Sequence, residues 1–155
     1  MMKQTVKMFQ RGVWFCFSSE KATLLKLNKV GKWMYFFNPD EQERAKELCR
    51  KAVEDGIVYE SKCTDIETRD MLGAGYQGET GLVCLYLNGD DNENHHRVIK
   101  FMLENNMIPR TKNGRLYNRS FKFDLQTLKG KYGDDFVGEI KLADFIDLNT
   151  GEFYK

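Results

Sequence analysis

Between Leu116 and Tyr132 the chain reads LYNRSFKFDLQTLKGKY, and the alternation in this stretch limits the folds open to it. With a period of two, Tyr117, Arg119, Phe121, Phe123 and Leu125 fall on one side, and Asn118, Ser120, Lys122 and Asp124 on the other. Successive side chains of a strand point to opposite faces, so the stretch predicts a strand with one packed and one polar face. Its polar side carries Lys122 and Asp124, two residues apart and pointing the same way. The surroundings are basic. Arg110, Lys112, Arg115, Arg119, Lys122, Lys129 and Lys131 face one anion, Asp124, between positions 110 and 131. Such a strand face suits a phosphate or another anionic group.

The other segments supply partners for that strand. RGVWFCFS (11–18) alternates Val13, Phe15 and Phe17 against Trp14 and Cys16, and VGKWMYFF (30–37) is apolar on both faces. Asn38-Pro39-Asp40 punctuates the chain and caps a helix over 40–55, where Ala45, Leu48, Cys49, Ala52 and Val53 form one apolar stripe and Gly56 supplies the stop. IVYESKCT (57–64) returns as a strand with Glu60 and Lys62 on one face. Residues 65–81 read as a polar, glycine-rich connection. The string Gly73-Ala74-Gly75-Tyr76-Gln77-Gly78 within it matches GxGxxG, but it precedes a strand instead of opening a helix, which argues against a dinucleotide loop. GLVCLYL (81–87) is a continuous apolar run suited to a central buried strand. Asn88-Gly89-Asp90-Asp91 then turns the chain into a second helix over about 92–105. Its inner face holds His95, half-buried, with Val98, Ile99, Met102 and Leu103. Residues 134–154 read as short strands ending in a turn at Asn149–Gly151. Strands joined by two amphipathic helices predict an α+β fold in one domain, 1–155: an antiparallel sheet with both helices on one side and a polar, concave face on the other.

Composition narrows the function. Apolar residues are 41% and aromatics 13% of a 155-residue chain, enough for a sizeable core. There is no apolar run of about eighteen residues, so no membrane span is expected. Cys16, Cys49, Cys63 and Cys84 lack CxxC spacing and sit in apolar settings, which reads as reduced, buried thiols in a cytoplasmic protein. Asp90-Asp91 and Asp134-Asp135 lack calcium-loop spacing, so neither a metal nor a cofactor is expected. The net charge of +1 is unevenly spread. Residues 1–34 hold seven cations and Glu20, while residues 133–155 hold six acids and two lysines. That pattern argues against coating bulk nucleic acid and allows a local anion site.

Several of these segments together resemble a known family. VGKWMYFF, a helix, DGIVYESKCT, the buried strand GLVCLYLNGDD, a second helix and SFKFDLQTLKGKY are similar, in order and spacing, to the basophilic-leukaemia-expressed protein family, whose members carry a phosphothreonine-lyase domain label. The motifs are Gly31-Lys32-Trp33, Lys62, the run Phe121-Lys122-Phe123-Asp124-Leu125-Gln126-Thr127, and Gly130-Lys131-Tyr132, so the resemblance covers roughly residues 30–132. The family has Tyr where this chain has Phe121. The resemblance implies a fold similar to the messenger-RNA cap-binding translation initiation factor, with helices on the convex side of a curved sheet. It also implies that Lys32, Lys62, Lys122 and Asp124 converge. Ammonium groups brought together repel unless an anion bridges them, hence phosphate.

The leading expectation is therefore a small cytoplasmic domain that binds a nucleotide or another phosphorylated small molecule, without catalytic residues of its own, as a phage or bacterial sponge for a nucleotide signal would. Lys32, Lys62, Lys122 and Arg119 are the anion contacts, and Trp14 and Trp33 the stacking candidates, Trp33 being the better placed for the core. Asp124 is an acceptor for a base edge or a partner for a lysine, and Thr127 a turn cap or phosphate contact. The alternatives are an enzyme acting on a phosphorylated substrate, with Lys122 or Lys62 as base, a protein-interaction domain using the helical face, and an RNA-binding domain.

Overall fold

The structure, a computed structural model, describes residues 3–73, 80–125 and 139–154. Seven strands, β1 (Lys7–Arg11), β2 (Trp14–Ser18), β3 (Val30–Phe37), β4 (Glu60–Thr64), β5 (Gly81–Asn88), β6 (Ser120–Phe123) and β7 (Ile140–Lys141), form an open antiparallel sheet in the order β1-β2-β4-β5-β3-β6-β7. Three helices accompany them: α1 (Gln42–Glu54), α2 (Ile66–Leu72) and α3 (Asn92–Glu104). The class is α+β. By packing, the chain divides into two compact units, Met1–Leu25 with Met34–Tyr86, and Lys26–Trp33 with Leu87–Lys155.

In the first unit, α1 buries the stripe read from sequence: Ala45, Leu48, Cys49, Ala52 and Val53. Burying a Leu or Val side chain stabilises by about 1.5–3 kcal/mol, more than helix propensity supplies. The helix is entered through Pro39, with the Asn38 amide held by the Glu41 carboxylate at 3.1 Å. It stops at Gly56, whose φ of 71° is costly for a residue with a side chain. The β4 residues Ser61 and Cys63 face α1, and Ser61 Oγ donates to the Cys49 carbonyl at 2.9 Å. The alternate residues, Glu60 and Lys62, look the other way, beside Ser18 and Cys16 of β2 and Tyr86 and Cys84 of β5.

In the second unit, the core joins Trp33, Phe121, Val98, Ile99, Met102, Leu142 and Ile146. The Asp91 carboxylate caps α3, accepting from the Asn94 amide at 3.1 Å. After β7 the chain makes one helical turn over Leu142–Asp144 and closes with the Ile146–Phe153 bridge and a turn anchored by Gly151 N to Asp147 O at 2.7 Å.

Several sequence readings change. The connection over 65–81 contains α2, capped by the Asp65 side chain, which accepts from Thr68 N at 3.2 Å and Thr68 Oγ1 at 2.6 Å. Seven residues are too few for a clear apolar period. Gly73 closes this helix at φ 64°, and the rest of the GxGxxG string lies outside the described residues. β1 is an additional strand, an edge whose Lys7 and Arg11 hide its pairing with β2 from a hydropathy reading. The organising strand is shorter than its alternation, Ser120–Phe123, and Tyr117 stands outside it, 47% exposed. His95 is not half-buried but fully enclosed, at 1% exposure. All four cysteines are buried free thiols. Among the described residues no helix is long and apolar enough to cross a membrane, and no cluster of His, Cys, Asp or Glu has metal-binding geometry.

Candidate functional site: a buried lysine pair

β3 and β6 pair so that Gly31 faces Phe123 and Lys32 faces Lys122. Directly opposed residues of an antiparallel pair share a face, with Cβ atoms about 4.5–5.5 Å apart. The close approach is set at Gly31. A Cβ there would stand 2.6 Å from the Lys122 carbonyl oxygen and 2.6 Å from the Phe121 ring, so only glycine lets β6 lie this near. Lys32 and Lys122 are 9% and 7% exposed, an unusual depth for lysine. The polar side of β6 is thus not an open surface at Lys122.

Asp124 joins the pair. Lys32 Nζ donates to its Oδ1 at 2.9 Å, with side chains 11% and 33% exposed, so the contact opens toward solvent on the carboxylate side. Like charges directly opposed destabilise a sheet, and Asp124 offsets part of that repulsion at Lys32. An oxyanion placed beside the two lysines could draw on charge-assisted hydrogen bonds in a medium of reduced dielectric constant.

The remaining candidates distribute differently. Lys62 belongs to the first unit, where its ammonium sits 3.9 Å from the centre of the Trp14 ring and 5.9 Å from that of Tyr86. Trp14 is half-buried and already carries this cation on its ring. Trp33 is in the core at 1% exposure, ringed by His95, Phe121 and Phe145, so it presents no surface for stacking a ligand. Arg119 precedes β6, with its guanidinium 5.7 Å from the Tyr117 ring centre, and burial pulls its pKa below the ordinary value. Thr127 lies outside the described residues, as does the Gly130-Lys131-Tyr132 motif. The structure therefore brings together Lys32, Lys122 and Asp124.

Phe121, the departure from the family pattern, is fully buried beneath the pair. Its ring stands edge-on to His95 at 4.8 Å and tilted to Trp33 at 5.8 Å, where a tyrosine hydroxyl would need a buried partner. Sequence reasoning also missed a cleft of about 460 Å³ lined by Gly89, Asn92, His95, His96, Ile140, Asp144, Phe145 and Tyr154. Its C-terminal wall carries no motif that marks it.

No family model and no curated protein matches the chain. The likeness is to solved structures. One, of a phosphothreonine lyase described for its catalytic mechanism, superposes with a TM-score of 0.50 at 16% identity, covering 83% of this chain and 74% of that one. Another, the phosphothreonine lyase SpvC, an effector protein from Salmonella, gives 0.50 at 16%, covering 84% and 75%. The chain has a phosphothreonine-lyase-like fold. At this identity the likeness concerns the fold alone, and the chemistry must be argued from the side chains.

Proposed function

We propose that the chain acts on a phosphorylated substrate whose phosphate sits at the Lys32–Lys122 pair, in a phosphothreonine-lyase-like reaction. The observation that carries this is the burial of two directly opposed lysines, one of them held by the Asp124 carboxylate at 2.9 Å. The fold likeness and the resemblance of the Gly31-Lys32-Trp33 and Lys122–Asp124 motifs support it. Lys32, held by Asp124, is a fixed ammonium that binds phosphate oxygens and neutralises charge developing on the leaving group. Lys122 is the base. Once it has released its own proton to solvent, its amine takes the Cα proton of the phosphorylated residue, the electron pair of that bond becomes the Cα=Cβ double bond, and the Cβ–O bond breaks. Phosphate departs with the bonding pair and takes a proton from water.

The test is incubation with a phosphothreonine peptide, read by mass spectrometry and phosphate release. Elimination removes phosphoric acid from the peptide, whereas hydrolysis removes only the elements of metaphosphate. Lys122→Ala is expected to slow elimination by about 10²-fold or more. Absence of both turnover and binding by the unaltered protein would overturn the proposal. Binding without turnover would favour a second reading, a nucleotide or other phosphorylated ligand held and not transformed. One observation supports it: His95 lies against Trp33, on the face of β3 opposite Lys32, and so offers no acid to the lysine pair.

A further inference from the structure

Directly behind the lysine pair lies a hydrogen-bonded chain that the proposed chemistry does not use. Trp33 Nε1 bears a hydrogen and can only donate, so His95 Nδ1, 3.0 Å away, is the acceptor and carries no proton. The single ring proton therefore sits on Nε2, which donates to the Gly89 carbonyl at 2.8 Å. Both nitrogens are committed in the neutral imidazole. A second proton would set two donors against each other in an apolar enclosure, which costs the hydrogen bond and the desolvation of a charge.

This chain touches both strands of the site. Trp33 follows Lys32 in β3, and Phe121 precedes Lys122 in β6. The His95 ring meets the Trp33 ring at 5.9 Å and the Phe121 ring at 4.8 Å. From the C-terminal segment Phe145 closes the cage at 5.1 Å. Among the described residues, the charged or titratable groups facing it are Asp91 and Asp90 before α3, His96 on α3, and Asp144 across the shared cleft. Asp90 is itself paired with Lys29 at 2.6 Å. Burial outweighs the pull of the aspartates and holds the imidazole below its ordinary pKa.

We propose that His95 is a positioning residue for the lysine pair: neutral, it ties Gly89 to Trp33 and fixes β3 against β6, and protonated, it releases them, so that Lys32 and Lys122 lose their shared geometry and the phosphoester its grip. The device makes the site acid-sensitive. It rests on the reading of the lysine pair as a phosphoester site, and it has a signature that needs no ligand.

The experiment follows the backbone amide resonances of Lys32 and Lys122 through a pH titration, beside the Trp33 indole N–H. In the unaltered protein all three are expected to move with one midpoint below about 6.5. In His95→Gln, whose amide accepts and donates without titrating, that transition is expected to vanish. In parallel, calorimetry measures a phosphothreonine peptide. The phosphoester itself titrates near about pH 6, so the variant is the baseline. As the pH falls through that shared midpoint, the unaltered protein is expected to lose more affinity than His95→Gln. Amides that do not follow the indole, or that keep the transition in His95→Gln, overturn the inference. A peptide that never binds overturns the phosphoester reading instead, while the amides still decide the coupling. Should His95→Gln not fold, Trp33→Phe frees Nδ1 and is expected to raise the midpoint. An unmoved midpoint overturns the inference.

Discussion

Gly31→Ala isolates the contact that builds the site. The added methyl would sit 2.6 Å from the Lys122 carbonyl oxygen and 2.6 Å from Cε2 and Cζ of Phe121. Ordinary contacts begin near about 3.4 Å, so roughly 0.8 Å must be found on two sides at once. Neither neighbour yields easily, because one is strand backbone and the other is a ring with no exposed surface. Alanine loses less chain entropy than glycine in a strand, which favours the variant by about 0.5–1 kcal/mol. Overpacking opposes it with about 1–3 kcal/mol, and stretching the β3–β6 ladder forfeits about 1 kcal/mol more. The net expectation is destabilisation by about 1–3 kcal/mol, or a Tm lowered by roughly 3–9 °C for a chain of this length. Urea denaturation and calorimetry measure it. Stability within about 0.5 kcal/mol of the parent would mean that β6 is not held against Gly31 as described, and the buried lysine geometry would fall with it.

Two further variants test the first unit. Ser61→Ala removes the hydroxyl that donates to the Cys49 carbonyl at 2.9 Å in a fully buried setting, and a loss of about 1 kcal/mol in denaturant stability is expected. Asp65→Ala removes the cap of α2 and should cost about 1 kcal/mol. Burial works against ionised Asp65, but donation from Thr68 and Gln10 prevails and keeps its pKa below the ordinary carboxylate value. A depressed carboxylate adds stability above its unfolded pKa and loses it as the pH falls through the folded one. The parent should therefore lose stability below about pH 4 by a step that Asp65→Ala lacks, as acid denaturation curves of the two proteins would show.

α1 and α3 were legible because their apolar stripes are their packing. Ala45, Leu48, Cys49, Ala52 and Val53 form one face by sequence and are buried together. β2 was legible for the same reason, with Phe15 and Phe17 on the side of Cys63, and Trp14 and Cys16 on the side of Lys62. The lysine pair was legible only in part. Alternation places Lys122 and Asp124 on one face of β6, but register, which sets Lys32 opposite Lys122, is a long-range property that no local pattern records. Burial of Lys122 was hidden because a lysine in a polar row reads as solvated. His95 was hidden in the opposite sense. Its helical position was evident, but full enclosure depends on Trp33, sixty-two positions away in sequence.

The placement of sulfur gives the molecule a built-in reporter. Cys16, Cys49, Cys63 and Cys84 all belong to the first compact unit, and residues 26–33 and 87–155 contain none. Burial pushes the Cys49 thiol well above its ordinary pKa, so little reactive thiolate forms while that unit stays closed. Alkylation kinetics in native buffer thus time the opening of that unit without mutation or label.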